Sequence, residues 1–405
     1  MLLAVNTFLR IKEVSFMKRL IFFVGVYDTL DIFTYELQKE FKMLHYETMI
    51  FDVNKAKESL IELADFVQKP VTAAITFNNL GYNMELEEGK NIWEQLRVPC
   101  INILMDHPFC YKKALDDSPS NAVVLCTDRN HMKYLNRFYP QIPITGFLPH
   151  AGKESILIRR PLSERNIDVM YAGNLSRSFV ENIMPDFSKY HSFDAKKICQ
   201  EAYNDLIAHP SKTTEQALED SLLAAGIVLE DNQLKDVISD LHFVDLYAVS
   251  YFREKAVQVL AEDGIQIALY GAGWDQCEWV SKPNVFYGGK VPAEEIVEKM
   301  ADAKIVLNTM TWFKDGTHDR IFNGMLQGAV VVSDSSVYMN EEFSESEIVF
   351  FALEEINGLP RKVHEILDDL PKYQRIADEG YNKAKQFHTW KNRAWELEHD
   401  LLCQI

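Results

Sequence analysis

Residues 315–336 read DGTHDRIFNGMLQGAVVVSDSS. After the turn at Asp315-Gly316, an imidazole, a carboxylate and a guanidinium come in succession: His318, Asp319, Arg320. They open a short helical pattern with Ile321, Phe322, Met325 and Leu326 on one face. Gly328 closes it, and the apolar run Ala329–Val332 ends at Ser333-Asp334. Cations at a helix N-terminus oppose the macrodipole, which favours negative charge there. A bound anion resolves that conflict, and the planar fork of arginine suits phosphate oxygens better than an ammonium does. The chemistry implied is the binding of an anionic group. The alternative is an ion pair of Arg320 with Asp315 or Asp319.

Other groups of the same kind come directly after strand-like runs. The first half offers Tyr27 and Asp28 after RLIFFVGV, Asn78-Asn79 after TAAITF, and Asp106-His107-Pro108 at the end of PCINILMD. The second half offers Gly173-Asn174, Tyr270-Gly271-Ala272-Gly273, Gly288-Gly289-Lys290 and Asn308-Thr309. Polar residues at such points point to function more than polar residues elsewhere. Asp106, His107 and Asp28 are the candidates for a general base; for Asp106-His107-Pro108 the alternative is a capped turn. YGAGWDQ begins like a dinucleotide fingerprint, but the third glycine position is Gln276, so a nicotinamide cofactor is not expected. A tight turn with backbone close by explains those glycines equally well. The eleven histidines show no HxxH or HExxH spacing and no GxSxG elbow occurs, so neither a metal nor a serine nucleophile is expected.

The elements that must carry these residues alternate strand and helix. Residues 17–158 form one βαβ series and residues 159–375 a second, giving an α/β chain of two Rossmann-like domains that face a central cleft. Ligands of open α/β sheets bind at the carboxyl ends of the strands. Residues 184–260 show helical periodicity and no strand pattern, and read as a helical insertion in the second domain. Residues 376–405 read as a C-terminal helix, and residues 1–16 as a poorly ordered extension, with Met17 the natural start. The formal charge of −18 excludes a broad basic face for nucleic acid or anionic membrane. No apolar run reaches the length of a membrane span. Six scattered cysteines without a CxxC pair suit a reduced, cytoplasmic protein.

In order, VMYAGN, LYGAGW, NVFYGGKVPAEEIVEKMADAKIVLNT, DGTHDRIFNGMLQGAVVVSDSS and IADEGYNKAKQFHTWKNRAWEL resemble the CgeB-like (spore-maturation-like) glycosyltransferases of the GT-B fold over about residues 165–400. The first domain is similar only in strand order. The resemblance implies transfer of a sugar from a nucleotide-sugar donor, UDP favoured, to a hydroxyl of a protein or glycan acceptor, with no metal or other cofactor. The donor would lie in the second domain and the acceptor in the first, and the last helix would cross back onto the first.

By the same resemblance, Gly173 and Asn174 lie beside the diphosphate, Tyr270 and Gly271 border the nucleotide, and Lys290 and Val291 meet the base. Gly316, His318 and Arg320, with Asp319 between them, surround diphosphate and sugar. Related retaining enzymes carry two glutamates eight positions apart; here those places hold Asp315 and Asn323. Asn323 keeps hydrogen-bonding capacity toward a ribose hydroxyl but no charge. His388, Trp390, Arg393 and Trp395 read as interface residues. The competing classes are a nucleotide-sugar epimerase or phosphorylase and a non-catalytic carbohydrate-binding protein.

Overall fold

The structure is a computed structural model that describes residues 17–175, 183–310 and 312–405. The 1–16 extension lies outside the described residues. The first sheet holds β1 (Arg19–Val24), β2 (Glu47–Asp52), β3 (Ala73–Phe77), β4 (Cys100–Leu104), β5 (Ala122–Cys126) and β6 (Ile144–Phe147), all parallel, in the order β2-β1-β3-β4-β5-β6. The second holds β7 (Ile167–Ala172), β8 (Ile267–Tyr270), β9 (Val285–Gly289), β10 (Ala303–Asn308), β11 (Val330–Asp334) and β12 (Val349–Phe351), also parallel, in the order β9-β8-β7-β10-β11-β12. Central strands such as β1 (RLIFFV) are buried at every residue, because helices cover both faces of a parallel sheet. That is why they read as continuous apolar runs. The strand order reverses between β1 and β3 and between β7 and β10, and those switch points open the crevices where ligands of such sheets bind.

Helix α1 (Asp28–Met43) comes after β1, and α2 (Arg129–Phe138) after β5. The segment expected to be helical forms α3 (Ala195–Ala208), α4 (Thr214–Ala224), α5 (Asp231–Leu241) and α6 (Phe243–Glu262). Its packing differs from the expectation, which placed all of it within the second domain. Ile198, Leu218, Leu222, Ile238 and Leu241 share one core with Phe23, Trp93, Leu104 and Tyr134 of the first domain. Arg137 of α2 pairs with both Glu219 and Asp231 at 2.8 Å, and Lys235 with Asp116 at 2.6 Å. Helix α6 returns to the second core through Phe252, Ala256, Val257 and Leu260, and Ile207 of α3 packs against it too. Periodicity shows which face of a helix is apolar, not which sheet covers it.

The second domain continues with α7 (Ala293–Met300), α8 (Asp319–Leu326), α9 (Leu370–Phe387) and α10 (Trp390–Glu396). Helix α10 crosses to the first domain: Trp390 is buried among Phe33, Phe77, Leu148 and Ala151. His388 stacks on Phe322 at 4.5 Å, and Arg393 donates to the Phe387 carbonyl at 3.0 Å. Trp395, expected at the same interface, is 53% exposed and stacks on His399 instead. The two domains are clasped at further points. The Lys153 amide donates to Asn323 Oδ1 at 2.8 Å, the Ser155 amide to Gln327 Oε1 at 2.8 Å, and the Ala293 amide to Asp28 Oδ2 at 3.0 Å. Among the described residues no helix is long and apolar enough to cross a membrane.

Candidate active site

Between the carboxyl ends of the two sheets lies a cavity of about 730 Å³. Of the residues singled out in the sequence, it brings together Asp28, Asp106, Gly173, Asn174, Tyr270, Gly271, Lys290, Val291, His318, Asp319, Arg320 and Asn323. It leaves out His107 and Gly316.

The glycine turns explain how two loops fit one crevice floor. Gly271 has φ +122°, and a Cβ there would lie 2.2 Å from the Gly173 carbonyl oxygen. Gly273 has φ +89°, and a Cβ there would meet the Leu175 carbonyl at 2.1 Å. The loops are laced by Gly173 N to Tyr270 O at 2.9 Å and Ala272 N to Asn174 Oδ1 at 2.9 Å. The GxG is thus a site of close backbone approach, a place that only glycine fills.

Two buried guanidiniums face the cavity above this floor. Arg320 donates to Asn308 Oδ1 at 2.5 Å and lies 5.1 Å from the Tyr171 ring. Arg253, from α6, donates to the Asn174 carbonyl at 2.5 Å and lies 5.1 Å from the Trp312 ring; among the described residues its Nε has no hydrogen-bond partner. Among the described residues neither forms an ion pair with a carboxylate within 4.0 Å; Asp315 pairs instead with Arg129 at 3.3 Å. Burial pushes Arg253 below the usual arginine range, and the Arg320 charge adds to that. Two like charges held side by side in a low-dielectric crevice repel, so an anion between them would relieve both. Sequence reasoning missed Arg253. The available signal was a cation within the apolar stripe Val249, Phe252, Ala256, Val257, Leu260.

His318 stands at the N-terminus of α8, with Nδ1 3.2 Å from the Arg320 amide and 2.8 Å from Asp319 Oδ1. The shorter, charge-assisted contact sets the tautomer, with Nδ1–H directed at Asp319. Burial would raise the Asp319 pKa, but His318 beside it holds the carboxyl well below the usual range. Burial, then the Arg320 charge, lowers the pKa of His318, so its imidazole is neutral at pH 7. The Arg320 amide therefore faces the His318 ring, while its side chain lines the cavity. Asn323, expected at a ribose, is committed elsewhere: Oδ1 accepts from Lys153 and Nδ2 donates to Asp319 at 3.0 Å. His150, which the sequence pattern did not single out, also lines the cavity, its ring stacked 5.9 Å from that of His318.

The first-domain candidates separate. Asp28 holds the Thr29 amide on Oδ1 at 3.0 Å and the Ala293 amide on Oδ2 at 3.0 Å, so it is a domain clasp. Asp106 is fixed on one oxygen, Oδ2, by Asn78 Nδ2 at 2.9 Å and the Tyr111 hydroxyl at 2.7 Å. Asn78 reaches it from a left-handed conformation, φ 47°. His107 faces away from the cavity. It caps its own turn by accepting from the Phe109 amide at 3.2 Å, stacks on Phe109, and lies 3.3 Å from Glu215 of α4. The capped-turn alternative describes it. Gly316 also lies at a seam: a Cβ there would meet the Thr127 carbonyl at 2.3 Å.

The seam under α4 carries a pH signature. Burial pushes His107 down to about 3 and His131, 4.3 Å from it, down to about 4. Burial pushes the facing carboxyls of Glu215 and Asp245 up, Asp245 to about 6. In the unfolded chain His131 binds its proton near 6.5, in the fold only near 4, so stability falls as pH drops through that window. His131→Phe removes this proton uptake. Between pH 7 and pH 5 the parent should lose about 2 kcal/mol more than the variant, read from urea unfolding at both pH values. Glu215 and Asp245 act in the opposite sense and are common to both proteins. Equal losses would show that His131 protonates freely in the fold.

Residues 253–399 match the family model described as "Glycosyl transferase-like". No curated protein matches the chain. Among solved structures, a sucrose-phosphate synthase from Thermosynechococcus elongatus is similar over 96% of this chain and 98% of its own, with TM-score 0.53 and 11% identity. An Anabaena protein, HepE, in complex with UDP and glucose gives 0.46 at 14% identity over 95% and 99% of the two chains. AviGT4, a glycosyltransferase involved in avilamycin A biosynthesis, gives 0.48 at 12% identity over 95% and 98%. The chain thus carries a stretch similar to the glycosyl transferase-like family in its second half, and over its length it has the two-domain GT-B fold.

Proposed function

We propose that the protein transfers a sugar from a UDP-sugar to an acceptor hydroxyl without a metal ion. The observation that carries this reading is the pair of buried, carboxylate-free guanidiniums, Arg253 and Arg320, in a cleft beside the Gly173 and Gly271 turns. They supply the positive charge that a leaving diphosphate requires. Lys290, Val291 and Asp106 line the cavity, which supports a reading in which the first two meet the base and Asp106 the acceptor hydroxyl. Neutral His318, oriented by Asp319, faces the transferred sugar. The order of motifs supports membership of the CgeB-like family, and the free cysteines a cytoplasmic setting.

A thermal-shift comparison of UDP, GDP and ADP, each with and without EDTA, tests it. A ligand at 100 times its Kd adds about 2.7 kcal/mol to stability. UDP should therefore raise Tm by roughly 5 °C or more, unchanged by EDTA, and UDP-sugars should slowly release UDP. No shift with any nucleoside diphosphate sinks the donor reading. A shift that appears only with a divalent cation sinks its metal independence.

A further inference from the structure

We infer that the acceptor is an uncharged carbohydrate, held against the first-domain wall by Asp106 and Tyr27; this rests on the donor reading above. Charge is divided across the cleft. The second-domain wall carries Arg253, Lys290 and Arg320, whereas the lining drawn from β1, α1 and the ends of β3 and β4 carries Asp28 and Asp106 and, among the described residues, no lysine or arginine. Lys153 reaches the cavity from the segment after β6, but Glu36 at 3.3 Å and Glu294 at 2.7 Å already neutralise it. Once a diphosphate occupies the guanidiniums, a phosphorylated acceptor on the first-domain wall would meet two carboxylates with, among the described residues, no free cation on that wall to offset them. Like charges at close range in a partly dry cleft are strongly unfavourable.

A neutral sugar finds matching partners on the same wall. Asp106 Oδ2 is occupied by Asn78 and Tyr111, which fix the carboxylate plane, while Oδ1 has no donor among the described residues. It can accept a hydroxyl proton donor at a fixed position, which is also the contact a base needs. Tyr27, at the start of α1, lines the cavity with 62% of its surface exposed. An exposed tyrosine at a cleft mouth offers an apolar face for the C–H side of a sugar ring and a hydroxyl at its rim.

The test is ligand-observed saturation-transfer NMR on UDP-loaded protein. The panel contains methyl glycosides of glucose, galactose, mannose and N-acetylglucosamine, cellobiose and maltose, beside glucose 6-phosphate and glucose 1-phosphate. At least one neutral member should bind, and the phosphorylated members about 10-fold more weakly or not at all. Asp106→Asn and Tyr27→Ala should each weaken the neutral ligand about 10-fold, and Tyr27→Phe should restore most of the loss, a rescue that a merely structural role would not predict. A phosphorylated sugar that binds as tightly as its neutral counterpart overturns the inference. So does UDP binding with no neutral member bound at about 10 mM. Failure of UDP itself to bind condemns the donor reading as well, so the two failures are told apart.

Discussion

Arg320→Ala is expected to lower turnover of a UDP-sugar on the order of 100-fold or more, the scale for removing one positioned donor from a developing negative charge. The guanidinium is 6% exposed, bonded to the neutral Asn308, and lies at the end of β7, where Gly173 leaves it room: a Cβ there would be 2.9 Å from Arg320 Nη2. A contact that strengthens as the leaving group gains charge lowers kcat more than it raises KM. Truncation also leaves buried Asn308 Oδ1 without its donor, a cost of about 1–3 kcal/mol in stability, so rates should be read well below the melting temperature. Arg320→Lys keeps the charge but not the fork and should recover part of the rate. Arg253→Ala should behave similarly. The double variant should lose less than the product of the two, because each charge also repels the other. Normal kcat and UDP affinity in folded Arg320→Ala would remove this residue from the chemistry.

The sequence made the frame legible for a local reason. A strand covered on both faces is an uninterrupted apolar run, and the residues beyond its carboxyl end must be turns, glycines or polar groups. Gly173, Tyr270, Gly271 and Asp106 could therefore be picked out as cavity-lining residues without knowledge of the third dimension. The misplaced residues depend on long-range packing. His107 comes directly after Asp106, yet adjacent residues at a strand end point to opposite sides, and α4 buries the imidazole over 100 residues away in sequence. Asn323 has the right chemistry for a ribose, but the amide of Lys153 takes its oxygen. Arg253 was hidden because it lies midway along a helix that looks like part of an insertion, and the periodicity does not say that this part of the helix borders the cavity. Gly316 looked like a phosphate-loop glycine because close approach to a ligand and close approach to a neighbouring backbone leave the same mark in sequence.

Trp390→Ala should cost about 3–5 kcal/mol of stability, the range for removing a buried large aromatic side chain, whereas Trp395→Ala should stay within about 0.5 kcal/mol. The two tryptophans lie five positions apart, but only Trp390 faces the first domain, 4.9 Å from the Phe33 ring and 5.8 Å from Phe77. Phe33 itself lines the cleft and lies 6.1 Å from His150, so the indole supports the cleft wall from behind. Helix α1, which carries Phe33, also begins with Asp28, the clasp to α7. Loss of the indole should therefore loosen both the crossing helix and the start of α1. Turnover should fall even where the variant remains folded, with KM for the donor rising more than kcat falls, because closure rather than the leaving-group contact is impaired. Urea unfolding of the two variants side by side, with donor kinetics at a temperature where both are folded, gives the comparison. Equal stabilities would mean that α10 does not hold the domains together. A stability loss with unchanged KM would leave α10 as a structural brace with no part in shaping the cleft.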